Sequence, residues 1–399
     1  MFLTVGEKIK ECRKCYKIKQ VAFEAYGITQ YHLSLIENNK RNISKEVTLC
    51  IYEAFEILSN GEIAKKYSKE SFLETQAEQL ERHITNELGQ PQDKVNYSNL
   101  IELAKMYQDN KQLYDIYFSL GEFQRDENLL KESNESFKLA ISYAEQLKLD
   151  TKKAYEYIAR NLADMGNYEG AILSYMTLRN QSDRESEEYY SISYRVAALE
   201  GTAGNYDNAI KIVNELLKDC KFEQIRISSS LIEVSALRES GRSPEAIELG
   251  LRHEKNPGYK DYLFFVYRHL SLAYQEIKDY DSAIKYMIKS TDHTAKTLFY
   301  KEHGRVALAD IYIDAKQFEN AKNELDLIKP LLVKEQDYTL AEKTYTAYLK
   351  ICEQERDVNQ LKEFIEELKI LIENDRISEN IYYKLKTKGL QCLLETQLN

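Results

Sequence analysis

Apolar residues at Val5, Ile9, Cys12 and Tyr16 recur three and four positions apart, the spacing of one buried helical face. They predict a first helix from about Thr4 to Tyr16. A second, shorter helix is expected from Lys19 to Tyr26, with Ala22 and Phe23 inward. Gly27 then suits a tight turn, because glycine accepts the left-handed backbone that such turns demand, and Ile28 fills the corner. Thr29 is a good N-cap for a third helix from Gln30 to about Asn38, with Leu33 and Ile36 on its buried side. Asn38 and Asn39 end that helix, since asparagine tolerates the left-handed region. Ser44 caps a fourth helix through Leu58, with Val47, Ile51, Ala54 and Phe55 inward.

Further along, the pattern repeats. Gly166-Asn167-Tyr168-Glu169-Gly170-Ala171-Ile172 returns as Gly204-Asn205-Tyr206-Asp207-Asn208-Ala209-Ile210. It returns again as Gly241-Arg242-Ser243-Pro244-Glu245-Ala246-Ile247 and Lys278-Asp279-Tyr280-Asp281-Ser282-Ala283-Ile284. A fifth copy reads Lys316-Gln317-Phe318-Glu319-Asn320-Ala321. The alanines stand 38, 37, 37 and 38 residues apart, a period that marks a stack of structural repeats. Each copy reads as helix, turn, helix: Gly or Lys makes the turn, Tyr or Phe plugs the gap, and Ala lets the helices approach. Weaker units flank the array, around Leu113–Gln146 and Thr339–Asn374, for about seven in all.

Composition supports an all-α chain. Only 14 glycines and 4 prolines occur in 399 residues, too few for the close-set turns of β-rich or Rossmann-like folds. Tyr262–Tyr267 is about the longest apolar run, far short of the ~20 residues of a membrane span. With Glu7, Lys8 and Lys10 near its start, the N-terminus lacks a secretory core, so a cytoplasmic location with no membrane contact is expected. Cys12 and Cys15 form a C-x-x-C without a second pair, so neither zinc nor a redox role is expected. The six histidines show no metal-binding spacing, and no phosphate loop or nucleophile elbow occurs. An enzyme is not expected, nor any cofactor or metal.

Charge is uneven along the chain. Residues 1–58 hold 9 Lys and Arg against 7 Glu and no Asp, whereas the remainder holds 46 against 58. Six of the cations crowd into Lys8, Lys10, Arg13, Lys14, Lys17 and Lys19. A basic head on an acidic body is the asymmetry of a chain whose head meets nucleic acid. The third helix would turn Gln30, Tyr31, Ser34 and Leu35 outward. A glutamine there can bond an adenine edge in the major groove, with Tyr31 reaching a phosphate or a thymine methyl. Gln20, Lys40 and Arg41 would position the DNA backbone, and Thr29 and Asn38 are further DNA-binding candidates. In the repeats, the first helix of each pair would line a groove with Lys153, Glu156, Tyr157, Arg160, Tyr194 and Arg195. Ser228, Ser235, Arg238, Arg268, His269, Gln275, His303 and Asp310 would follow. The arginines suit a peptide's carboxylates, and the amides, hydroxyls and tyrosines its backbone.

The string Gly27-Ile28-Thr29-Gln30, Leu33-Ser34 and Ile36-Glu37-Asn38-Asn39-Lys40-Arg41-Asn42 resembles the lambda-repressor/Cro (XRE) helix-turn-helix. It departs at Asn39, where glycine is usual, at Glu24, where a small residue is usual, and in an Ile18–Gly27 interval one residue short. The repeats resemble the tetratricopeptide repeat, with Leu162, Tyr274 and Tyr312 at its first-helix aromatic or aliphatic position. Ala159, Ala197 and Ala309 fall at its small position. Head and array together resemble the RRNPP receptors, the Rap, Rgg, NprR, PlcR and PrgX group. That resemblance implies an N-terminal helix-turn-helix domain over 1–60 and a linker helix and hinge over 61–95. A right-handed superhelix of repeats over 96–374 and a capping helix over 375–399 would follow. It implies a cytoplasmic quorum-sensing regulator, a homodimer on double-stranded operator DNA whose repeats bind a short signalling peptide. Two alternatives stay open: a Rap-like antagonist working by protein contact, and a phage-type repressor answering to a protein partner.

Overall fold

The computed structural model describes residues 2–293, 298–332 and 337–398, with side chains described outside 298–300 and 396–398. Every regular element among the described residues is a helix. The chain divides into two compact units, Met1–Ser174 and Tyr175–Asn399.

The first unit opens with α1 (Val5–Cys15), whose N-terminus closes as a capping box. Thr4 Oγ1 accepts from the Glu7 amide at 3.1 Å and Glu7 Oε2 accepts from the Thr4 amide at 2.7 Å, so two otherwise orphaned donors are satisfied. Next come a 3-10 helix over Gln20–Tyr26, then α2 (Gln30–Glu37) and α3 (Lys45–Leu58), with Thr29 and Ser44 as the caps. Ile9, Cys12, Phe23, Leu33, Ile51 and Phe55 are fully buried in one cluster, where Phe23 and Phe55 meet edge-to-face at 4.9 Å. The expected second helix is thus 3-10 rather than α. A 3-10 turn rises about 2.0 Å per residue against about 1.5 Å for α, so the shortened segment still spans from Ile18 to Gly27.

The single linker helix expected over 61–95 is also corrected. Three short helices stand there, α4 (Ile63–Lys66), α5 (Lys69–Leu73) and α6 (Gln76–Leu88). Ser68 and Thr75 start new helices because their hydroxyls accept from the Ser71 and Glu78 amides, in the first turns of α5 and α6. Ile63 and Phe72 are fully buried in the head's own cluster, so its apolar core runs past residue 60. Lys8, a member of the basic group read from the sequence, is 1% exposed. Its Nζ donates to the carbonyls of Ser71 at 2.6 Å and Glu74 at 2.7 Å, tying α1 to the end of α5. Leu80 and Ile84 of α6 pack instead with α7 (Tyr97–Met106) and α8 (Asn110–Asp126).

The repeats are antiparallel helix pairs. In the first unit α8 pairs with α9 (Leu130–Leu147), and α10 (Lys152–Asp164) precedes α11 (Tyr168–Gln181), within which the unit boundary falls. The second unit continues with α12 (Glu187–Thr202) and α13 (Tyr206–Asp219), then α14 (Glu223–Glu239) and α15 (Ser243–Lys255). After these come α16 (Leu263–Glu276) and α17 (Tyr280–His293), then α18 (Leu298–Asp314) and α19 (Phe318–Asp326). The short α20 (Lys329–Leu332) leads to α21 (Tyr338–Glu355) and α22 (Val358–Glu373), and α23 (Glu379–Leu398) ends the described chain. Asn399, the last residue of the expected capping segment, lies outside the described residues, as do 294–297 and 333–336 within the array. Ala171, Ala209, Ala246, Ala283 and Ala321 are all fully buried at their helix contacts. The turn residue of every copy is left-handed: φ is 75° at Gly166, 84° at Gly204, 79° at Gly241, 63° at Lys278 and 60° at Lys316. The position selects a backbone shape, and lysine meets it at a cost that glycine avoids.

A Cβ at Gly204 would meet nothing within 4 Å, so replacing it tests the backbone alone. Gly204→Ala should destabilise the second unit by about 1–2 kcal/mol. Lys278→Gly should lie within about 0.5 kcal/mol of wild type, the relieved strain offset by a looser unfolded chain. Urea midpoints of the two variants provide the check, and equal losses would show that the turn does not require the left-handed backbone.

Candidate functional site

Two surfaces carry the chemistry read from the sequence, one in each unit. In the head, Gly27 (φ 81°) ends the 3-10 helix and Ile28 is buried beneath the turn, which sets the start of α2. The far end of α2 is pinned through Glu37, which is 3% exposed. Its carboxylate accepts from Arg13 Nε at 2.6 Å, Arg13 Nη2 at 2.9 Å and Gln20 Nε2 at 2.9 Å. A bidentate arginine–carboxylate pair fixes orientation as well as distance. Gly6 brings α1 against the same end: a Cβ there would sit 2.1 Å from the Ile36 carbonyl.

With both ends held, the outward positions of α2 are free to meet a partner. Gln30 is exposed and Tyr31 is 74% exposed, an unusual position for an aromatic ring with no contact to bury it. Ser34 and Leu35 are half-buried behind them, and Thr29 Oγ1 caps the helix by accepting from the His32 amide at 3.2 Å. Lys40 and Arg41 are exposed, with no ion pair among the described residues. Two expected backbone-clamping side chains are otherwise engaged. Gln20 braces Glu37, and Asn38 Nδ2 donates to the Ser34 carbonyl at 2.8 Å while its Oδ1 accepts from Lys10 Nζ at 3.0 Å. Cys12 is buried, which pushes its thiol up to about 11, and Cys15 is an exposed free thiol.

In the second unit, the first helices of three successive pairs, α12, α14 and α16, border a cavity of about 620 Å³. Tyr194, Ser228, Ser235 and His269 line it, as the sequence reading placed them. Leu231, Ile232, Tyr262 and Phe265 line it too, and these were missed. The signal for Tyr262 and Phe265 was the apolar run Tyr262–Tyr267, which is too continuous for a helix with one buried face; Phe265 remains 39% exposed. The neighbouring Arg268 lies largely out of water and below its ordinary pKa, first from burial and then from Arg238. Burial, with Arg238 and Arg268 adding to it, lowers His269 to about 4, so its imidazole is neutral at physiological pH.

Most of the other groove residues hold the fold together. In the first unit Tyr157 donates to Glu122 Oε1 at 2.8 Å and Arg160 pairs with Glu156 at 2.5 Å, while Lys153 also reaches Glu122 at 3.3 Å. In the second, the Arg195 guanidinium lies 6.0 Å from the Tyr175 ring centre. Arg238 bridges Glu239 and Glu276, and Gln275 donates to Asp314 at 2.7 Å. His303 lies 3.4 Å from Asp337, and Asp310 accepts from Lys350 at 2.8 Å. The four-arginine track expected to grip a peptide therefore reduces, within the second unit, to the neighbourhood of Arg268. Polar side chains this close across a helix stack are drawn to each other before any ligand arrives.

No group of three His, Cys, Asp or Glu among the described residues could hold a metal, and no described helix is long and apolar enough to cross a membrane. No family model matches the chain, and no curated protein matches it. Among solved structures it is similar to a tetratricopeptide repeat protein from Parabacteroides merdae, at 12% identity over 70% of this chain and 99% of that one, TM-score 0.47. Similarity also extends to aspartyl phosphate phosphatase F from Bacillus subtilis, at 12% identity over 99% of this chain and 93% of that one, TM-score 0.48. A Rap protein complexed with competence and sporulation factor matches at 11% identity over 98% of this chain and 99% of that one, TM-score 0.42. Likenesses of this degree carry no activity across; what stands is an all-helical chain of stacked helix pairs with helical-repeat and Rap proteins among its structural neighbours.

Proposed function

We propose that this chain is a cytoplasmic DNA-binding transcriptional regulator whose repeats bind a short signalling oligopeptide. The observation that carries the reading is the outer face of α2. A ring and an amide stand in water at Tyr31 and Gln30, and the helix beneath them is immobilised at both ends. A protein gains nothing in its own stability from an exposed tyrosine on a rigid helix, whereas a groove-reading helix needs side chains of that kind. The unpaired Lys40 and Arg41 just beyond it suit phosphates, and the cavity bordered by α12, α14 and α16 suits a linear peptide. A head of this size reads only a few base pairs, so a homodimer on two half-sites is the working assembly.

Selection of bound sequences from random duplex DNA, with and without short peptides encoded beside the gene, tests the reading directly. On the selected site Gln30→Ala should cost about 1–3 kcal/mol and relax preference at one base. Lys40→Ala should weaken every sequence alike and flatten the salt dependence. Wild-type binding by both variants would remove α2 from the interface. Light scattering of the DNA complex should give twice the 46.7 kDa chain mass plus the mass of the duplex, and a single chain per site would refute the dimer.

A further inference from the structure

Arg268 stands apart from the other cations of its unit's groove. Arg238 is taken by Glu239 and Glu276, and Arg195 lies over the Tyr175 ring. Arg268 is half-buried in α16 and has neither a hydrogen bond nor an ion pair among the described residues. A guanidinium does not lose its proton at physiological pH, so burial cannot neutralise it as it would a lysine or a histidine. A charge held out of water with no counter-charge is costly, and the usual compensation is a partner. Glu239 and Glu276 are both held by Arg238.

Its neighbour has a second unmet group. His269 lines the cavity, and its buried Nδ1 has no hydrogen-bond partner. Arg268 directly precedes His269 in α16 and is half-buried there. Phe265, one turn back along α16, and Tyr262, just before the helix, offer apolar surface to the same cavity, which Leu231 and Ile232 of α14 also line. Cation and imidazole are thus consecutive residues of α16, and Phe265 of the apolar wall stands one turn before them.

We propose that Arg268 and His269 form the receptor for a single carboxylate, carried by a peptide whose adjacent bulky apolar side chain enters the cavity beside Phe265. This rests on the peptide-binding reading above and sharpens it. The chain carries a formal net charge of −10, so its long-range field repels anions. A preference for a carboxylate must therefore come from a local site of this kind.

Two sources could supply the carboxylate, a free C-terminus or an Asp or Glu side chain, and the experiment separates them. The full chain is incubated with four pools of randomised heptapeptides, free-acid or C-terminally amidated, each with or without Asp and Glu. Retained peptides are quantified by mass spectrometry. The amidated pool without Asp and Glu should be retained at least tenfold less than the pool bearing the preferred carboxylate, and retained peptides should be rich in large apolar residues next to it. Arg268→Met should erase that discrimination while melting at or above the wild-type temperature, since it replaces an unpaired buried charge by an apolar chain. Equal retention of the carboxylate-free pool, or unchanged discrimination in Arg268→Met, would overturn the receptor and leave the peptide reading intact. Retention of no peptide from any pool would overturn both. A melting temperature well below wild type for Arg268→Met would assign the arginine to holding the repeats together and overturn the receptor.

Discussion

Five helix pairs of the array close on a side chain no larger than a methyl group, and much of the repeat architecture follows from that. Ala171, Ala209, Ala246, Ala283 and Ala321 are fully buried where the second helix meets the first. Extra methylenes in so tight a contact typically cost about 1–3 kcal/mol through displaced backbone and unfavourable rotamers. Because the helices approach that closely, larger side chains are moved to neighbouring positions, where they fill the layers between pairs. Met287 and Ile311, for example, are fully buried beside Ala283. The remaining face of the first helices is released from packing, and there Tyr194, Ser228, Ser235 and His269 border the cavity.

The same stacking explains why so many expected ligand contacts are internal. Residues one repeat apart stand side by side in adjacent first helices. Arg238 meets Glu276 across 38 positions, Gln275 meets Asp314 across 39, and Asp310 meets Lys350 across 40. The period that reveals the repeats could also have revealed these pairs, had opposite charges been sought at the same spacing. Reading each residue singly as a groove-lining group hides the partner its own periodicity supplies. Arg268 escapes this because the position one repeat on, Val306, is apolar and buried.

Helices, caps and turns were legible in the sequence because local chemistry decides them. Thr29 and Ser44 cap the helices they precede, and Asn39 adopts φ 55°, the left-handed region that asparagine tolerates. Where a distant group decides, the sequence was silent. Nothing local marks Lys8 as buried or Gln20 as turned toward Glu37, since their partners lie 63 and 17 residues away. The segment after α3 was misread for a related reason. Its polar composition suits an exposed linker, but Ile63 and Phe72 suffice to draw it onto the head.

The long-range contact made by Lys8 reaches main chain alone. Its Nζ binds main-chain oxygens of Ser71, Phe72 and Glu74, and every amino acid provides such an oxygen. The constraint is therefore one-sided. Sequence drift at 71 and 74 leaves the anchor untouched so long as α5 ends where it does, whereas a shorter side chain or one without donors at position 8 would leave the three oxygens without this partner. Among diverging relatives such a lysine would persist without any co-varying partner. Methods that infer proximity from paired substitutions would then miss the tie between α1 and α5, although it is among the shortest hydrogen bonds in the head.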